Sequence, residues 1–139
     1  MQNLISFTLK DRDTLLKRRK GESKFGEHIQ LITNPTNIYD DIVDLDVHFV
    51  LFGINEDIGV YANHGKTGAY KAWEAAIKVL LNTQSSSFTK ARRVLILGHL
   101  DYNKARESII TLDASKKKNI SKARAFVETI DKDMTHIVS

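Results

Sequence analysis

The hydrophobic pattern changes period along the chain, and the changes mark out its elements. Val47 to Ile54 is a near-continuous apolar run. Such a run predicts a strand covered on both faces, as in a parallel sheet. Gly53 and the acidic pair Glu56 and Asp57 end it. From Thr67 or Gly68 the period lengthens. Ala69, Ala72, Trp73, Ala76, Ile77, Leu80 and Leu81 recur at helical spacing and predict an amphipathic helix. Gln84-Ser-Ser-Ser87 breaks it, and Val94-Leu-Ile-Leu-Gly98 reads as a second buried strand. A connection of roughly forty residues between the strands suits a right-handed parallel crossover.

Beyond the second strand, Tyr102 to Asp113 has room for another helix. A long final helix starts at Asn119, with Ile120, Ala123, Phe126, Val127, Ile130, Met134 and Ile137 on one face. The pattern before residue 47 is weaker. Residues 1–46 read as an N-terminal extension, mostly helical or irregular, and residues 47–139 as the α/β domain. Within the extension, Asp11 to Lys20 is charged, with apolar points at Leu15 and Leu16. His28-Ile-Gln-Leu-Ile-Thr33 alternates as a short strand would. Asn34-Pro-Thr-Asn37 is a turn signal, and Asn37 or Asp40 is placed to cap a short helix through Asp44.

Composition narrows the class. The 139 residues fit about one domain. Hydrophobic residues make up 42% and charged residues 27%, as in an ordinary water-soluble protein. No apolar run approaches the roughly 20 residues that span a bilayer, so no membrane partner is expected. The first ten residues lack a basic stretch followed by an apolar core, which reads against a secretory signal. The chain has no Cys, which excludes disulfides, thiolate metal sites and cysteine nucleophiles and points to a cytoplasmic protein. The net charge of +4 comes from three separate clusters, Lys17-Arg-Arg-Lys20, Lys90-Ala-Arg-Arg93 and Lys116-Lys-Lys118. None is interleaved with aromatics as a single-strand platform would be, so no nucleic-acid partner is expected.

The loop after the first strand is the leading place for chemistry, because ligand sites in open α/β sheets form beyond the carboxyl ends of strands. Its candidates are Glu56, Asp57, Gly59, Asn63, Gly65, Lys66 and Gly68, with His64 beside them. The glycines allow positive φ or close backbone approach. The acids and Asn63 are equally able to bond the loop's own backbone. The glycine spacing is neither a dinucleotide fingerprint nor a P-loop.

These residues carry a resemblance. Gly53, Glu56, Asp57, Gly59, Val60, Asn63, Gly65, Lys66, Gly68 and Ala69 stand in a frame that resembles the arginase/ureohydrolase superfamily, in particular its formimidoylglutamase-like branch. The likeness continues through Lys24-Phe-Gly-Glu-His-Ile29, Ala72-Trp73, Leu80-Leu-Asn-Thr-Gln-Ser85 and Val94-Leu-Ile-Leu-Gly-His-Leu-Asp101. Lys66 stands where the family carries an Arg, and the two are not interchangeable at a bidentate carboxylate site. The resemblance implies the N-terminal part of an arginase-like three-layer αβα fold with a parallel sheet. It also implies a metal-dependent hydrolase of linear amidines, with Mn²⁺ in the complete family domain.

The family's metal ligands lie in Gly-Gly-His, Asp-x-His-x-Asp and Asp-x-Asp segments later in its order; the first two patterns do not occur here, and no Asp-x-Asp stands at the family's position. Asp44-Leu-Asp46 precedes the first strand, where the family places no ligand, and Asp131-Lys-Asp133 reads as part of a solvated helix face. His99-Leu-Asp101 supplies two donors, short of the three or four a stable site needs; it reads as closing the strand and capping the segment after it. His48 reads as a core or interface histidine. The expectation is therefore no metal or cofactor in this chain, no catalytic residue and no activity by itself. The alternative is a non-catalytic binding or assembly module derived from the same fold. An incomplete sheet leaves an edge that pairs with another copy, as a homo-oligomer, or with a missing C-terminal segment.

Overall fold

In the computed structural model, which describes residues 3–139, strand β4 (Val94–Asp101) is the partner on which the other strands meet. β1 (Leu4–Ser6) pairs with it antiparallel, Leu4 opposite Leu100 and Ser6 opposite Gly98. β2 (Gln30–Leu31) pairs with it in parallel, Gln30 opposite Leu95. β3 (Phe49–Asn55) pairs with it as well. The class is α/β, but the sheet is mixed rather than parallel. The departure comes from Leu4-Ile-Ser6, too short a segment to show a period.

The helices are α1 (Leu9–Leu15), α2 (Ile38–Asp44), α3 (Ile58–Ala62), α4 (Ala72–Leu81), α5 (Asn103–Ile110) and α6 (Lys117–Val138). The chain divides into two compact units, each discontinuous in sequence. They interleave along the sequence.

The first unit comprises Leu4–Gly53 and Ala72–Leu100. Phe7, Leu16, Phe25, Ile29, Ile77, Leu81, Ala91 and Ile96 form its core. α1 begins at a capping box in which Thr8 Oγ1 accepts the Asp11 N–H and Asp11 accepts the Thr8 N–H. Asn82, just past α4, ties the far end of α1: it accepts the Lys17 N–H at 2.8 Å and donates to the Leu15 carbonyl at 2.9 Å. Gly98 is inside β4 at φ +139°, where a Cβ would stand 2.0 Å from the Ile5 carbonyl oxygen. Only glycine lets β1 lie this close to β4. At Gly53 a Cβ would stand 2.3 Å from the Trp73 ring, so β3 and α4 meet at a residue without a side chain.

Two expectations are corrected in this unit. β3 is not covered on both faces: Phe49 is 67% exposed, and Val50 and Leu51 are also open to solvent. An apolar run records a strand's need for cover, and the described residues supply it only from Phe52 onward. His48 is exposed, outside both core and strand. Its backbone N–H donates to the Arg93 carbonyl at 2.8 Å, and its ring lies 3.1 Å from Arg93 Nη1.

The second unit comprises Asn3, Ile54–Lys71 and Asp101–Ser139. α3 packs on α6 and on α5, burying Ile58, Tyr61, Ala62, Ile109, Ile120, Ala123 and Ile130. The final helix follows its predicted face, with Phe126, Val127, Met134 and Ile137 half-buried. The Tyr61 hydroxyl donates to the Leu112 carbonyl at 2.9 Å. Asp133 accepts from the Tyr102 hydroxyl at 2.8 Å and from Asn3 Nδ2 at 2.9 Å, so this part of α6 is not a merely solvated face. Burial and the neighbouring Asp133 carboxylate push the Tyr102 phenol well above its ordinary pKa.

Candidate functional site: the loop beyond β3

The segment from Asn55 to Lys71 folds on itself through its acids. Glu56 Oε2 accepts the Gly59 N–H at 3.1 Å, in the manner of an N-terminal cap on α3. Asp57 is completely buried. Its Oδ2 accepts the Gly68 N–H at 2.6 Å, which closes the loop across eleven positions of sequence. A buried carboxylate requires a counter-charge, and Arg106 on α5 provides it in fork geometry. Nε donates to Oδ1 at 2.5 Å and Nη2 to Oδ2 at 3.1 Å. The guanidinium also lies 3.6 Å from the centre of the Tyr70 ring. Hydrogen bonding to Asp57 raises the Arg106 pKa above its ordinary value and outweighs the opposing effect of burial. The loop is thus pinned at Asp57, with Tyr70 lying against the pin.

The rest of the loop takes its shape from backbone conformation. Gly59 lies inside α3 without a positive φ, and a Cβ there would meet nothing closer than 3.7 Å. Neither freedom anticipated for a glycine is used at that position. Gly65 uses close approach: its N–H donates to the Val60 carbonyl at 2.8 Å, and a Cβ would stand 2.8 Å from Val60 Cγ1. Gly68 uses positive φ, at +145°. His64 also adopts positive φ, at +58°, an uncommon conformation for a residue with a side chain. Asn63, His64 and Lys66 are exposed on the loop. Glu56 and Asp57 therefore build the loop, while Asn63, His64 and Lys66 are the groups it presents.

Three residues join the site that sequence reasoning did not single out. Arg106 and Tyr70 complete the pin. Only the rule that a buried acid needs a cation hinted at them, and that rule names no partner. The third is Asn55, the last residue of β3, whose side-chain Oδ1 is buried without a hydrogen-bond partner. A buried acceptor left unpaired costs about 1–3 kcal/mol, and such atoms call for an explanation in ligands or function.

No protein-family model, no curated protein and no solved structure matches this chain.

The described residues do not fit a pair of manganese ions. Among the described residues no group of three or more His, Asp or Glu could hold a metal. His99, inside β4, lies 6.5 Å from the Trp73 ring, centre to centre. Asp101 accepts the Asn103 N–H at 2.8 Å at the start of α5. Asp46 pairs with Arg93 at 2.9 Å.

Proposed function

We propose that the loop from Asn55 to Ala69 forms the rim of a binding mouth for a small amidine, in a chain that corresponds to the N-terminal part of an arginase-like C–N hydrolase. The observation that carries this reading is the pinned loop. Asp57, Arg106 and Tyr70 hold it from within, so Asn63, His64 and Lys66 are presented without the entropic cost of ordering a mobile segment on binding. Two further features favour an amidine, which is rich in N–H donors. Asn55 Oδ1 is a buried acceptor in want of a donor, and the neighbouring Glu56 carboxylate is committed to one backbone N–H. The sequence resemblance names the same substrate class. The loop supplies shape and acceptors, and among the described residues no group of three or more His, Asp or Glu could hold the metal that the family uses. The purified chain is therefore expected to release no ammonia, urea or formamide from amidine or guanidine substrates with Mn²⁺ added. Metal-dependent turnover that copurifies with the chain would refute this.

A second reading is an assembly module. It is favoured by the exposed apolar half of β3, where Phe49, Val50 and Leu51 form a contiguous solvent-facing run. The two readings are compatible, since the rim (residues 55–69) and the exposed half of β3 (residues 49–51) use different residues.

A further inference from the structure

The cluster Lys90-Ala-Arg-Arg93 does not take part in the loop beyond β3. It borders a cavity of about 450 Å³ in the unit formed by Leu4–Gly53 and Ala72–Leu100. The lining residues are rich in cations: Lys90, Arg92 and Arg93 stand with His28, His48, Ser85, Ser86 and Ala91, and no Asp or Glu is among them. Arg93 is held by Asp46 at 2.9 Å, but Lys90 and Arg92 form no ion pair among the described residues. The Ser86 hydroxyl accepts the Phe88 N–H at 3.3 Å, which leaves its own hydrogen free to donate. Lys90 sits at φ +45°, ψ +45°, left-handed for a residue with a long side chain. Strain of that kind persists only where the surroundings hold it.

Lys90 and Arg92, two cations without a carboxylate partner beside the paired Arg93, repel each other, and an anion relieves this. Arginine forks and serine hydroxyls match the oxygens of a phosphate. The volume falls in the range of small-ligand pockets, roughly 300–1,000 Å³. The lining lacks the aromatic platform that single-stranded nucleic acid uses. We propose that this cavity binds a small phosphomonoester, with Lys90, Arg92 and Arg93 meeting the phosphate and the serine hydroxyls donating to it.

The test is calorimetric titration of the whole chain with glycerol 3-phosphate, inorganic phosphate and a single-stranded DNA 20-mer, at two salt concentrations. The expected result is saturable one-to-one binding of glycerol 3-phosphate. It should weaken at least about tenfold in Arg92→Gln, the scale of one lost hydrogen bond to a charged group. Lys90→Gly should weaken it as well, and glycine suits the left-handed backbone there, so the fold is retained. Lys117→Gln, on α6, removes the same charge elsewhere and should leave binding unchanged. Equal affinity for inorganic phosphate would support the site and assign it to the free anion. The proposal is overturned by absence of saturable binding, by equal weakening in Lys117→Gln, or by tighter DNA binding that phosphate does not displace.

Discussion

Asp57 is the residue on which the loop depends. Its carboxylate is fully buried and satisfied by one arginine and one backbone amide. Removing the arginine leaves the charge without its partner in a site closed to water. Arg106→Gln is expected to destabilise the chain by about 3–5 kcal/mol, the usual cost of breaking a buried pair from one side. Asp57→Asn combined with Arg106→Gln should cost less than the sum of the two single changes, because the second change then strands no charge. Urea unfolding of the three variants measures this. Additive losses would show that the two side chains do not act as a pair.

At the scale of elements, glycine separates what a sequence reveals from what it conceals. Gly98 lies at positive φ with the Ile5 carbonyl where its Cβ would be. Gly98→Ala is expected to cost roughly 2–4 kcal/mol, from backbone strain and overpacking together. Gly59→Ala, in α3 with space around it, should be neutral or stabilising by about 0.5–1 kcal/mol. Denaturation midpoints that rank the two variants the other way would contradict the structure.

The sequence pattern alone favoured Gly59 and was silent on Gly98. A glycine near acids in a loop is conspicuous, whereas a glycine inside an apolar strand shows its purpose only once the neighbouring strand is in place. The same distinction runs through the rest of the fold. α4, α6 and β4 were legible because their apolar periods are long. β1 and β2 have three and two residues, too few to carry a period, and their pairing with β4 is a long-range event. The loop beyond β3 was legible as a break rich in Gly and acid after an apolar strand. The inward role of Asp57 was not, because it is set by Arg106, 49 positions away.

For the whole molecule, the exposed half of β3 and the cation-lined cavity are the surfaces left over after folding. Phe49, Val50 and Leu51 are apolar and solvent-facing on a strand, which invites pairing. The chain is expected to self-associate at tens of micromolar by light scattering, and Phe49→Lys with Leu51→Lys should return it to a monomer. A monodisperse wild-type monomer at that concentration would remove the assembly reading and leave the rim reading standing.

The segment from Asn55 to Ala69 is proposed as a pre-shaped rim for an amidine, held from within by Asp57 and Arg106. The most direct measurement is a heteronuclear NMR titration of the whole chain with N-formimidoyl-glutamate. The account predicts amide and side-chain shifts concentrated at Asn55, Glu56 and Asn63 to Gly68, and their loss in Arg106→Gln under conditions where that variant remains folded. Shifts scattered over the chain, or none at millimolar ligand, would contradict it.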